Sequence, residues 1–188
     1  MGEKLLEVKD LRVSYYTYAG EVQSVRGISF DVEKGETVAI VGESGCGKSV
    51  TAKSIMRLIA NPGKIKEGSS ITLDGRDVLA MSGKELRSYR GDDCAMIFQD
   101  ALTSLDPTMR VGKQIAEVLT IHGKASKKEA AAKAIELLRQ VGIPNPERRA
   151  REYPHQFSGG MRQRAMIAIA LACGPKLLIA DEPTTALD

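Results

Sequence analysis

No segment of this 188-residue chain is apolar for long enough to cross a membrane. The longest unbroken run, Ala165 to Cys173, has nine residues, about half of what a spanning helix needs. The N-terminus, Met1-Gly2-Glu3-Lys4-Leu5-Leu6-Glu7, has neither the basic start nor the apolar stretch of a secretion signal, and Leu6 breaks the myristoylation pattern. The expected location is therefore the cytosol, with any membrane association made through a partner. Cysteine is sparse: Cys46, Cys94 and Cys173 are far apart and form no CxxC pair, which fits neither a disulfide framework nor a zinc site. Charge of one sign is also scarce. The 27 basic and 24 acidic residues leave a formal charge of +3, too little to make nucleic acid the main partner. There is no internal repeat and no low-complexity tract. What is present is 43% hydrophobic residues, enough for one substantial core in a single domain that could carry a lobe.

Leu6, Val8, Leu11 and Val13 among charged residues, and partial alternation from Val22 to Val32, predict two β-strands in an antiparallel sheet. Thr37-Val38-Ala39-Ile40-Val41 has the continuous apolar character of a strand buried on both faces of a parallel sheet. A helical pattern follows from Lys48 to Ile59 and stops at Asn61-Pro62-Gly63. Ile71-Thr72-Leu73-Asp74-Gly75 predicts a strand entering a tight turn. Another buried strand is expected from Cys94 to Phe98. Beyond it, helical segments punctuated by Pro107, Gly112, Gly123, Pro144 and Pro146 predict an inserted helical lobe. Its clearest helix starts at the capping box Ser126-Lys127-Lys128-Glu129, buries Ala134, Leu137, Leu138 and Val141, and closes at Gly142 and Pro144.

The chemistry concentrates in four places. Gly42-Glu43-Ser44-Gly45-Cys46-Gly47-Lys48-Ser49 fits the phosphate-loop pattern GxxxxGK(S/T) between a strand and a helix. Its glycines let successive N–H groups point at phosphate oxygens, and the helix adds its positive dipole end. Lys48 is expected to reach the β- and γ-phosphates of ATP and Ser49 to ligate magnesium, with Val50 closing the cradle. Leu177-Leu178-Ile179-Ala180-Asp181-Glu182 is an apolar strand that delivers two carboxylates. Asp181 is expected to hold Mg2+ and Glu182 to accept a proton from the attacking water; an acidic strand end that caps a helix is the plainer alternative. Ser158-Gly159-Gly160 opens a helix running to about Cys173, with Ser158 as N-cap and two glycines permitting close approach of an anion. Gln99 ends a strand, a position that by itself reads as a solvated side chain. His122, at a helix end, reads as a polar cap, and His155, within Tyr153-Pro154-His155-Gln156-Phe157, as a packing or loop residue.

These strings, and Phe157-Ser158-Gly159-Gly160-Met161-Arg162-Gln163-Arg164 above all, resemble the ATPase subunit of an ABC transporter. Ile40-Val41-Gly42-Glu43-Ser44-Gly45, Leu102-Thr103-Ser104-Leu105-Asp106-Pro107 and Tyr153-Pro154-His155 place the resemblance in the oligopeptide, dipeptide and nickel importer branch. It implies an α/β fold: a P-loop NTPase core of mostly parallel sheet flanked by helices, an N-terminal antiparallel β part and an inserted helical lobe, with C-terminal strands missing. Residues 1–188 would form one incomplete domain, with the nucleotide-binding core at 1–98 and 165–188 and the lobe, carrying the signature motif, at 99–164. In the family, Gln99 matches the Q-loop glutamine that touches magnesium or the attacking water. Ser158, Gly159 and Gly160 match the segment that contacts the γ-phosphate held by the opposite subunit. Met161 stands where Gln is most common. Tyr15 aligns best with the aromatic residue that stacks on adenine, while Tyr16 and Tyr18 are close enough to take that role. Ala186-Leu187-Asp188 is similar to the D-loop.

The partners implied are a second ABC ATPase subunit, in a homo- or heterodimer, two transmembrane permeases and, indirectly, a substrate-binding protein. The function implied is ATP hydrolysis at the cytoplasmic face of the membrane that energises import of di- or oligopeptides. The family's switch histidine, some thirty residues beyond the D-loop, has no counterpart in the 188 residues. A shortened chain that binds nucleotide and turns it over poorly is therefore the first alternative. A soluble ABC ATPase outside transport is the second; it would usually carry two cassettes or a long coiled-coil insertion.

Overall fold

The computed structural model describes residues 2–99 and 104–182, and two compact units divide the chain, residues 1–86 and 87–188. The first unit is built on a long antiparallel hairpin, β1 (Lys4–Thr17) and β2 (Gly20–Glu33). The apolar spacing of β1 explains its shape. Leu6 and Val8 keep the two-residue step of a half-buried strand, and then Leu11 and Val13 arrive one residue late. A register shift between Val8 and Leu11 absorbs the extra residue, so all four side chains stay on the buried face. Asp10 (φ 44°) and Gly27 (φ 95°) form the irregularity. At φ 95° an L side chain on residue 27 would be strained, so the bulge favours glycine opposite it.

On its other edge β1 pairs with β3 (Gly63–Ile65) and β4 (Ser70–Leu73), both antiparallel. Asp74 and Gly75, both at positive φ, turn β4 into β5 (Arg76–Asp77), as the sequence predicts. Leu6, Val8, Leu11, Val13, Ile71, Leu73 and Val78 make the core of this unit. Helix α1 (Lys48–Ile55) buries Thr51, Ala52, Ser54 and Ile55.

Thr37–Val41 differs from expectation. Among the described residues it pairs with no strand, and all five residues are exposed, Val41 to 90%. Apolar composition makes a run suitable for a buried strand, but only neighbouring strands supply the hydrogen-bond partners and the cover.

Helix α2 (Gly83–Ser88) leads into a π-type turn, Tyr89–Asp93, interrupted by Arg90 and by Gly91 at φ 114°. Then β6 (Cys94–Ile97), buried at every position, pairs in parallel with β7 (Leu177–Ala180). Between these strands run α3 (Val111–Ile121), α4 (Lys127–Gln140), α5 (Pro146–Arg149), a 3-10 turn (Pro154–Gln156) and α6 (Gly159–Leu171). Leu105, Val111, Ile115, Ala134, Leu138, Ile143, Phe157, Ala165 and Ala168 form the helical core, with Leu137 and Val141 packed beside it. Helix α6 also turns Met166 and Ala170 onto Ala95 and Ile97 of β6. The same helix that begins at Ser158 is thus seated on the strand that ends near Gln99.

Candidate nucleotide-binding site

In the first unit the phosphate-loop sequence turns on Gly45 (φ 81°) and Gly47 (φ 100°). A Cβ on Gly47 would stand 2.5 Å from the Ser24 carbonyl oxygen, so the chain there accepts only glycine. Gly47 is also the N-cap of α1. It brings no side chain to the helix start, and the first turn holds no acidic residue. The leading N–H groups and the positive dipole end therefore suit an anion. Lys48 Nζ donates to the carbonyl oxygens of Gly42 at 2.8 Å and Glu43 at 3.0 Å. The Cys46 N–H donates to the Glu43 carbonyl at 3.3 Å. The loop is thus curled around the ammonium, with Gly42 to Cys46 exposed and Gly47, Lys48, Ser49 and Val50 half-buried.

The three tyrosines of the hairpin end have different settings. Tyr15 is half-buried in β1, its ring lying over Gly63, where a Cβ would approach Cε1 to 2.6 Å. Tyr16 is exposed, with Lys64 Nζ 5.7 Å from its ring centroid. Tyr18 is fully exposed.

In the second unit, the carboxyl ends of two parallel strands bring three predicted residues together. Gln99 lies just past β6, and Asp181 and Glu182 follow β7 directly. The Asp181 N–H donates to the Ile97 carbonyl at 2.9 Å, which continues the ladder by one step and fixes the acid in a buried place, 9% exposed. Glu182 leaves the strand at φ 50°, a left-handed conformation costing a non-glycine residue about 1–2 kcal/mol. Gln99 Nε2 donates to Glu182 Oε2 at 2.6 Å. This contact joins positions 83 residues apart, and no local sequence signal announces it.

Ser158 caps α6, its hydroxyl accepting from the Met161 N–H at 3.3 Å. The first turn of α6 has no acidic residue, and a Cβ on Gly159 would meet nothing within 4 Å, so the helix start is open. Met161 packs against the helical core, which gives its side chain a structural role. Arg162 Nε donates to the Pro154 carbonyl at 2.8 Å and holds the preceding turn onto the helix. His155 stacks on Tyr153, the rings 5.7 Å apart and 10° from parallel, in keeping with the packing role expected of it. His122 occupies the C-cap of α3, and its Nδ1 also lies 3.3 Å from Asp92 Oδ2, a contact that sequence reading missed. Asp100 to Thr103 and Pro183 to Asp188, the D-loop string included, lie outside the described residues.

Comparison with known proteins gives the family. The chain is 61% identical over 186 residues to the oligopeptide transport ATP-binding protein OppD of Bacillus subtilis, covering 98% of this chain and 52% of the relative. It is 59% identical to the dipeptide transport ATP-binding protein DppD of Lactococcus lactis, covering 99% of this chain and 53% of the relative. It therefore spans about half the length of the curated relatives it matches. Among solved structures, the dimeric post-hydrolysis state of the ATP-binding cassette MJ0796 bound to ADP and Pi superposes with a TM-score of 0.86 at 29% identity. That match covers 98% of this chain and 76% of the other. Residues 25–185 match the family model described as ABC transporter. That span carries the phosphate loop, Gln99, the Ser158 helix start and the Asp181-Glu182 strand end, and the chain belongs to the ABC transporter family.

Proposed function

We propose that this chain binds and hydrolyses ATP as a subunit that energises import of di- or oligopeptides, working peripherally at the cytoplasmic face of the membrane. The observation that carries the hydrolytic reading is the 2.6 Å bond from Gln99 Nε2 to Glu182 Oε2, next to the buried Asp181. A side-chain amide that grips one carboxylate oxygen fixes the direction of the other, as a general base requires. The names of the relatives from Bacillus subtilis and Lactococcus lactis support the peptide substrate. Peptide selection belongs to the partners proposed here: a second ATPase subunit, two permeases and a binding protein that feeds them. Among the described residues no helix is long and apolar enough to cross a membrane, in keeping with a subunit that reaches the bilayer through permeases.

Placement supports a role for each residue in this proposal. Residues Gly42 to Val50 cradle the phosphates, and Lys48 exchanges its carbonyl partners for β- and γ-phosphate oxygens. Tyr15, with one face over Gly63, is the candidate for adenine stacking. Ser158, Gly159 and Gly160 present a helix start to the γ-phosphate on the opposite subunit. Ser49, Gln99 and Asp181 each offer an oxygen donor of the kind that suits Mg2+, which would neutralise charge on the phosphates. Glu182 takes one proton from water as the water oxygen bonds to the γ-phosphorus, and the bond to the β-phosphate oxygen breaks.

In the complete transporter, Glu182→Gln keeps the shape and removes the base. ATP binding is expected to survive while phosphate release and peptide uptake fall by about 10²–10⁴-fold. Phosphate release and uptake at the normal rate would overturn the role of Glu182. Uptake of no peptide by the unsubstituted complex, with ATP hydrolysis intact, would overturn the substrate.

A further inference from the structure

At the opposite end of β6 from Gln99, three side chains of different chemistry converge from three elements. Asp92 lies in the π-type turn, His122 at the C-cap of α3 and Cys173 two residues beyond α6. One carboxylate oxygen, one ring nitrogen and the Cys173 sulfur all lie within 4.8 Å of one another, each residue half-buried. We propose that Asp92, His122 and Cys173 form a binding site for a zinc-class divalent ion, separate from the nucleotide site.

The donors decide the class of ion. A thiolate, an imidazole and one carboxylate suit a borderline metal such as zinc, whereas magnesium takes oxygen. Bonds of about 2.0–2.3 Å place tetrahedral ligands roughly 3.3–3.8 Å apart, so the three groups need to close by only about 1 Å. Their supports are in place. His122 Nδ1 stands 3.3 Å from Asp92 Oδ2, and Ser88 Oγ donates to the same oxygen at 2.9 Å. Asp92 Oδ1 is buried without a well-directed hydrogen bond among the described residues and has the Lys124 ammonium at 3.1 Å. That ammonium, on a partly exposed and flexible stem, is the group a metal would displace. Gly91 supplies an independent sign of construction: at φ 114° its missing side chain admits the imidazole, and a Cβ there would stand 2.6 Å from His122 Nε2. Binding would release the Cys173 thiol proton to solvent as the sulfur–metal bond forms. Ligands 30 and 51 residues apart along the chain match no local metal motif, which is why sequence reading does not find them.

β6, four residues at about 3.3 Å each, runs between the cluster at its start and the carboxylates past its end, so the two sites can be tested apart. Cobalt(II) chloride is titrated into the full chain, and the thiolate-to-cobalt charge-transfer absorption is followed. One equivalent is expected to bind, to be displaced by zinc and to survive excess magnesium. Cys46→Ser should leave the band intact, Cys173→Ser should abolish it, and His122→Gln should weaken binding at least tenfold. Absence of the band in the unsubstituted chain, or its persistence in Cys173→Ser, would overturn the site. Should either variant fail to fold, mass-spectrometric alkylation of the unsubstituted chain decides the matter. Zinc is expected to slow modification of Cys173 at least tenfold, and an equal rate with and without zinc overturns the proposal.

Discussion

The ammonium of Lys48 sits on two carbonyl oxygens of its own loop, which are neutral acceptors. A phosphate offers charged oxygens, so the exchange replaces an ion–dipole contact with the attraction of opposite charges and favours the nucleotide. Cys46, exposed in the same loop, reports on it. Alkylation of Cys46 in the native chain is expected to slow at least fivefold when ATP and Mg2+ are added, and to lose that protection in Lys48→Ala. Peptide mapping by mass spectrometry reads both. Cys94 is the internal control: burial pushes its thiol up to about 12, so it stays protonated and unreactive. Equal labelling of Cys46 with and without nucleotide would remove the loop from the nucleotide site.

Helix α4 shows at the scale of an element how far local sequence carries. Ser126 and Glu129 close a reciprocal box: the Ser126 N–H donates to Glu129 Oε2 at 2.9 Å and the Glu129 N–H donates to Ser126 Oγ at 3.4 Å. Hydrogen bonds from the Ser126 hydroxyl and backbone hold the Glu129 carboxyl below its ordinary value of 4.5. A lowered folded-state pKa means that this contribution is complete above about pH 4.5 and is lost as pH falls through the folded value. Ser126→Ala is expected to cost about 1 kcal/mol at pH 7 in urea unfolding, with a smaller cost below about pH 4; an unchanged midpoint at pH 7 would show that the box adds nothing. The box, the stripe Ala134, Leu137, Leu138 and Val141, and the Asp74-Gly75 turn were legible because each is decided within a few residues. The bulge at Asp10 was legible only as an odd spacing, since its partner Gly27 lies on another strand. The bond between Gln99 and Glu182 was not legible at all, because parallel pairing of β6 with β7 creates it. The site residues themselves could be named because their motifs fix residue types at fixed offsets. Their contacts could not be.

Along the whole chain, Thr37–Val41 shows where composition and surroundings disagree. Its residues are those of an interior strand, yet Val38, Ile40 and Val41 are 42%, 46% and 90% exposed, and no strand among the described residues pairs with them. Backbone that is neither laddered nor covered opens at the lowest free energy and is cut first by a protease. The segment runs directly into the phosphate loop, so its state follows that of Gly42 to Ser49. In limited digestion with thermolysin, which cleaves before large apolar residues, the earliest cut of the chain is expected between Thr37 and Val41, giving one short N-terminal and one long C-terminal fragment by intact mass. ATP with Mg2+ should delay that cut several-fold, because phosphate held by the loop anchors the end of the segment, and Lys48→Ala should restore the fast rate. A first cut within the helices of the second unit would mean that the exposed run is better protected than its surface indicates. A cut at Thr37–Val41 that ignores nucleotide would uncouple the run from the loop it feeds.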